Sequence, residues 1–450
     1  MLDLLVKNCR IVEHDGITDG DLLVKGGKVA GVYALHSNEK AERVIDAEGR
    51  YVLPGAIDTH SHIGQMPGEG LYRPQTVEET VHSESLNGAF GGVTTALNYI
   101  FTPDSMLEAL ELHRERAGKH SVINMFFHGA LMNDLHLSEI DEAVRRGIRS
   151  FKIFLPYKGE EALRLGGLGS LDDGRILAAF NKLRQVGALP IIHAENPEMI
   201  DYFMSTFDGF DRQDMAAWEA TRPGIVEGEA VNKVIYMSKK TECPICIAHV
   251  SSADAVEEIR REEGRVLLET TPHYLALTVE EDTLGSLGKC SPAVRHARDR
   301  DSLWEYVASG LPTIIGSDHN SWMREHKTEL WSGLSGLPGN AFLLPVLLSE
   351  GVDRRNLKIE DVVRVSSYTA AERFGFAGRK GTLRPGADAD FSIITTGLAR
   401  KVAPEDIPSI VNYSPYSDFT FSAWPDTVVC GGRVLVEDGR VADERPAGCM

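Results

Sequence analysis

The chain has 450 residues, too many for one simple core and suited to a large domain with a smaller companion. Its formal charge of -19 argues against nucleic acid or anionic lipid as a partner, since both select a basic surface. Cysteines at 9, 243, 246, 290, 430 and 449 are too few for a disulfide scaffold, and no apolar run makes a signal peptide or membrane span, which points to a cytoplasmic protein.

From residue 2 to about 51 short apolar runs alternate with Gly and Asp turns, as in Asp21-Leu22-Leu23-Val24-Lys25-Gly26-Gly27-Lys28-Val29-Ala30. That is the pattern of hairpins. It returns after residue 380, and Gly431-Gly432-Arg433-Val434 nearly repeats Gly26-Gly27-Lys28-Val29. Residues 1–51 and 376–450 are therefore expected to build one small β-sandwich domain from both chain ends.

Between them, 52–375 alternates apolar strand-like runs with charged helix-like stretches, the pattern of an α/β domain folded as a (β/α)8 TIM barrel. Strands are expected to begin near Val52, Thr94, Val122, Ser150, Leu189, Ile245, Val266 and Thr313. Ser105 and Ser252 are expected to cap helices running to Arg116 and Glu263. The glycine-rich stretch 157–175 fits no phosphate-binding fingerprint and is expected to form a mobile lid. Cys243-Pro244-Ile245-Cys246 has no second pair to complete a zinc site, so its thiols are expected to be ordinary buried residues. The sequon Asn412-Tyr413-Ser414 carries no weight without a secretory signal.

Chemistry-bearing residues stand at the polar ends of the apolar runs. His60 and His62 are two apart, so on a strand both imidazoles leave the same face. Lys152, His193, His249 and Asp318 each lie on or just after a buried strand-like run, and in a (β/α)8 barrel such ends converge on one site. Lysine is a poor metal ligand while protonated, yet its flanks Phe151, Ile153 and Phe154 predict burial. His128, His273 and His319 are expected to be supporting or structural.

The order His-x-His, Lys, His, His, Asp resembles the amidohydrolase superfamily. Within it the chain is similar to the cyclic amidohydrolases: hydantoinase, dihydropyrimidinase and allantoinase. The resemblance implies a hydrolase that opens the amide bond of a small cyclic amide, imide or ureide, with two divalent metal ions per subunit. Zinc suits the donor set best, with manganese, cobalt or iron as alternatives. It implies that Lys152 is carboxylated and bridges the ions, that His60, His62 and Asp318 hold one, and that His193 and His249 hold the other. Asp318 would also shuttle a proton, Tyr157 would donate to the developing oxyanion, and Ser291 and Ser335 would bind the substrate. A homo-oligomer, dimer or tetramer, is implied as well.

Thr271-Pro272-His273-Tyr274 and Cys290-Ser291-Pro292 look more like an allantoinase, whereas Tyr157 and Gly336-Leu337-Pro338-Gly339 look like a hydantoinase. Dihydroorotases carry Arg where this chain has Gly64. Non-catalytic assembly relatives have lost metal ligands, and this chain keeps all six. The loops 63–76, 157–175 and 320–340 match no single branch, so the ring substituent stays open.

Overall fold

A computed structural model describes residues 1–35, 39–64, 76–158 and 169–448. The N-terminal strands are β1 (Leu2–Glu13), β2 (Gly16–Lys25), β3 (Lys28–Tyr33), β4 (Ala41–Asp46) and β5 (Tyr51–Pro54). The barrel strands are β6 (Ala56–Ser61), β7 (Val93–Tyr99), β8 (Asn124–Ala130), β9 (Ser150–Phe154), β10 (Leu189–His193), β11 (Cys246–Ile247), β12 (Leu267–Thr270) and β13 (Thr313–Ile315). The chain closes with β14 (Phe391–Arg400), β15 (Phe421–Cys430), β16 (Arg433–Glu437) and β17 (Arg440–Val441).

Strands β6 to β13 form one parallel sheet in sequence order, with helices between successive strands, the expected (β/α)8 plan. Its ends are joined just past β13, where His62 N donates to His319 O at 3.0 Å and Ser61 bridges His319 in parallel. Asp58 ties the same seam, accepting from Ser317 N at 2.8 Å and Ser317 Oγ at 2.5 Å. Gly316 is needed there, because a Cβ would lie 2.5 Å from His60 Cβ. The remaining nine strands make a mixed sheet drawn from both chain ends, with a core that includes Leu4, Val24, Val52, Phe391 and Val429.

The apolar run from Val52 to Ile57, expected as a single barrel strand, is two strands broken at Gly55. Tyr51–Pro54 pairs with Phe391–Ile394 in the terminal sheet, and the barrel begins at Ala56. The near repeat has a structural meaning. Gly26-Gly27 and Gly431-Gly432 are two-residue hairpin turns with φ of 60°, 71°, 57° and 77°, a geometry that favours glycine. The turns pack on each other: a Cβ on Gly27 would meet Gly431 O at 3.0 Å.

Both expected caps form. Ser105 accepts from Glu108 N ahead of Met106–His120, and Ser252 from Ala255 N ahead of Ala253–Arg260. The five described cysteines are free and buried, while Cys449 lies outside the described residues. So do 65–75 and 159–168, the larger parts of two of the loops singled out above, including most of the glycine-rich stretch. No helix among the described residues is long and apolar enough to cross a membrane.

Candidate metal centre

The six residues picked from strand ends meet at the carboxyl end of the barrel. Lys152 Nζ lies 3.2 Å from His60 Nε2 and 3.3 Å from His249 Nε2. Asp318 Oδ1 lies 3.0 Å from His62 Nε2 and 3.4 Å from His60 Nε2. The His193 and His249 rings stand edge to face with centroids 4.4 Å apart. Ligand atoms of His60, His62 and Asp318 all fall within 4.8 Å of one another, as a single ion requires.

Local backbone geometry aims two of these side chains. His249 and Asp318 follow the short strands β11 and β13 with φ of +38° and +46°, in the left-handed region that costs a non-glycine residue about 1–2 kcal/mol. Strain of this kind persists where surrounding structure enforces it and clusters at functional sites.

The electrostatics match a metal-ligand set. Burial drives His60 and His249 well below the ordinary imidazole range, and the Lys152 charge pushes further the same way. His193 is also lowered by burial, although its hydrogen bond to Glu195 opposes the shift. All three rings are therefore neutral near pH 7 and offer lone pairs. Burial alone would raise the Asp318 carboxyl, but the His60 and His62 imidazoles outweigh it and hold it well below the carboxylate range. Burial pushes the Lys152 ammonium down against the pull of Glu269 and Asp318. Among the described residues, His249 Nδ1 is buried with no hydrogen-bond partner, and no carboxylate lies at ion-pair distance from Lys152. Converging neutral imidazoles, an ionised carboxylate and an unneutralised lysine fit divalent ions bound by nitrogen and oxygen donors.

Several supporting residues had no assigned role in the sequence analysis. Glu269 on β12 is fully buried, 2.5 Å from His60 Nδ1, and it also accepts from Thr59 Oγ1 at 2.7 Å. Such a partner fixes ring orientation and tautomer, leaving the opposite nitrogen for a metal. Glu195, two residues past His193, does the same for His193 Nε2 at 2.8 Å. Tyr99 forms the floor, its ring 4.6 Å from that of His60 and 5.0 Å from Lys152 Nζ.

The side chains of the three extra histidines are not among the six that converge: His128 stacks on Tyr99 with centroids 4.7 Å apart, and His319 meets His62 through its backbone carbonyl. His128 binds Thr59 O at 3.1 Å and Ser150 Oγ across the barrel, and burial lowers its pKa to about 3. His319 Nε2 lies 3.0 Å from Glu84 Oε2, within ion-pair distance but off the axis of a good hydrogen bond. His273 is fully buried, and neither ring nitrogen has a hydrogen-bond partner among the described residues.

Tyr157 sits at the mouth of β9, its ring 5.4 Å from that of His193. Ser291 and Ser335 face each other with hydroxyls 3.4 Å apart. The Ser335 loop joins the barrel seam through Leu337, which bridges His319 and accepts from Asn320 N at 3.0 Å.

A parallel barrel with this donor set at its carboxyl end defines a class: metal-dependent barrel hydrolases. The Amidohydrolase family profile matches residues 51–435, and the chain belongs to that family. It is 32% identical to the L-hydantoinase of Paenarthrobacter aurescens, an alignment covering 100% of this chain and 97% of that protein. It is also 32% identical to an allantoinase of Enterococcus faecalis, over 92% of this chain and 91% of that one. Among solved structures it superposes on the L-hydantoinase (dihydropyrimidinase) from Arthrobacter aurescens with a TM-score of 0.91 and 31% identity, covering 99% of this chain and 98% of that one.

Proposed function

We propose that this protein is a hydantoinase- or dihydropyrimidinase-like hydrolase that opens the amide bond of a small cyclic amide, imide or ureide. The observation that carries the reading is the convergence of His60, His62, Lys152, His193, His249 and Asp318 at the barrel mouth. Similarity over the full chain to proteins named hydantoinase supports it. Residues 52–375 are the proposed catalytic domain, and 1–51 with 376–450 its companion.

His60, His62 and Asp318 would hold one divalent ion and His193 and His249 a second, with zinc the best match to the donors. Lys152 would bridge them as a carbamate. Burial favours its neutral amine, the form that attacks carbon dioxide: an N–C bond forms and one proton leaves. Bound divalent ions would supply Lewis acidity, lowering the pKa of water and polarising the ring carbonyl.

The chain's own side chains do the rest. Asp318 is held ionised and its Oδ1 lies beside His62 and His60, where it would join them at the first ion and leave Oδ2 to take a proton from the attacking water. As the ring C–N bond breaks, that proton passes to the leaving nitrogen. The Tyr157 hydroxyl would donate to the carbonyl oxygen as negative charge develops on it. Ser291 and Ser335 would grip the ring amide from facing walls.

The test is a turnover screen of metal-loaded protein with hydantoin, dihydrouracil, allantoin and larger cyclic imides. Ring opening of hydantoin or dihydrouracil is expected. Exclusive turnover of allantoin would move the protein to the allantoinase branch, and no ring opening at all would refute the reading.

A further inference from the structure

Four consecutive backbone carbonyls around Ser335 each accept a hydrogen bond from a side chain. Lys289 Nζ donates to Gly333 O at 2.7 Å and Trp322 Nε1 to Ser335 O at 2.8 Å. Lys327 Nζ takes the other two, Leu334 O at 3.2 Å and Gly336 O at 2.7 Å. Its third donor goes to Lys289 O at 2.6 Å, on the stretch leading to Ser291. On that stretch Trp218 Nε1 holds Cys290 O at 2.8 Å, and Tyr274 OH holds Pro292 O at 2.5 Å. Both walls thus have their carbonyls turned toward side-chain donors, and the hydroxyls of Ser291 and Ser335 face each other between them.

The walls meet directly through Gly336 N, which donates to Lys289 O at 3.0 Å, and Lys289 reaches from its own wall to Gly333 O, while Lys327 donates to carbonyls of both walls from a single ammonium. Its side chain is fully buried, and among the described residues no carboxylate lies at ion-pair distance. All three donors of the ammonium are spent on carbonyls. Burying an ammonium without a counter-charge is costly, and a well-packed apolar contact would join two loops at lower cost. A second ammonium, that of Lys289 on the opposite wall, adds like-charge repulsion. What the arrangement provides is a fixed distance and direction between two backbone segments.

We propose that Lys327 is a positioning residue for substrate binding, its ammonium setting the separation of the Ser291 and Ser335 walls and hence their grip on the ring amide. The inference rests on the reading of Ser291 and Ser335 as substrate contacts. A group that shapes ground-state and transition-state binding alike changes KM more than kcat, whereas a merely structural group changes stability alone.

The experiment uses the full-length, metal-loaded protein with hydantoin and dihydrouracil as probes. Lys327→Met keeps the volume and removes the charge and donors. The expected result is a KM raised by about tenfold or more, the scale of hydrogen bonds to a charged group, with kcat within about threefold of wild type and metal content unchanged. Lys327→Ala should be partly rescued by ethylammonium chloride and not by equal sodium chloride. Wild-type KM in Lys327→Met, with only a lower Tm, overturns the inference, and so does failure of both variants to fold, since Lys327 would then serve the fold. A wild type that opens no ring would instead overturn the functional reading and this inference with it.

Discussion

At the scale of single residues, Lys152 shows how burial decides chemistry. An ammonium beside two imidazole nitrogens, with no carboxylate at ion-pair distance among the described residues, is unfavourable as it stands, and conversion to a carbamate would reverse its charge and make it a ligand. Lys152→Ala should therefore purify with little bound metal by elemental analysis and lose nearly all turnover. Full metal content and activity would contradict the carbamate. Tyr157→Phe keeps the ring beside His193 and removes only the hydroxyl, so kcat should fall by about a hundredfold or more while the metals stay. A kcat near wild type with a lower Tm would make Tyr157 a packing residue. His128 tests the electrostatics below the site. Burial holds its folded pKa at about 3, against an unfolded value near 6.5. The unfolded chain thus takes up a proton that the native state refuses, and the stability His128 contributes above about pH 6.5 is lost as pH falls. The Tm deficit of His128→Gln relative to wild type should shrink between pH 7.5 and 4.5 in metal-stripped protein. A constant deficit would contradict a neutral buried ring.

Among elements, the seam where β13 meets β6 has the least slack. Gly316 passes so close to His60 that Gly316→Ala must push the strand bearing His60 aside. The expected cost is about 1–3 kcal/mol from overpacking, read as a lower Tm, together with weaker metal retention on dialysis. Unchanged Tm and metal content would mean that the seam can yield. The same scale shows what could be read from sequence. Strand ends announced themselves as apolar runs stopping at His, Lys or Asp, because ligands in this fold must sit where a buried strand opens to the site. The break at Gly55 did not, since Val52 to Ile57 is uniformly apolar and only its two sets of partners separate β5 from β6. Glu269 was passed over inside the strand Leu267–Thr270, where a single carboxylate has no periodic signature. Lys327 stands in Arg324-Glu325-His326-Lys327-Thr328-Glu329, which reads as solvated surface, and tertiary packing alone buries it.

Across the whole molecule, both ends of the chain return to one sheet, and the paired glycine turns lock them together. This arrangement was legible because hairpin grammar and the Gly-Gly near repeat recur at both ends of the sequence. The mixed allantoinase-like and hydantoinase-like motifs are matched by comparable identity to proteins bearing either name. Ring identity thus depends on loops whose contacts no strand pattern fixes. Bound divalent metal is proposed to make this barrel a ring-opening hydrolase. The most direct test is hydantoin and dihydrouracil hydrolysis by one preparation assayed as purified, after chelator treatment, and after zinc, manganese or cobalt is restored. The active protein should hold close to two ions per chain, lose turnover on stripping, and recover it in step with metal uptake. Undiminished hydrolysis by fully stripped protein would contradict that role for the metal.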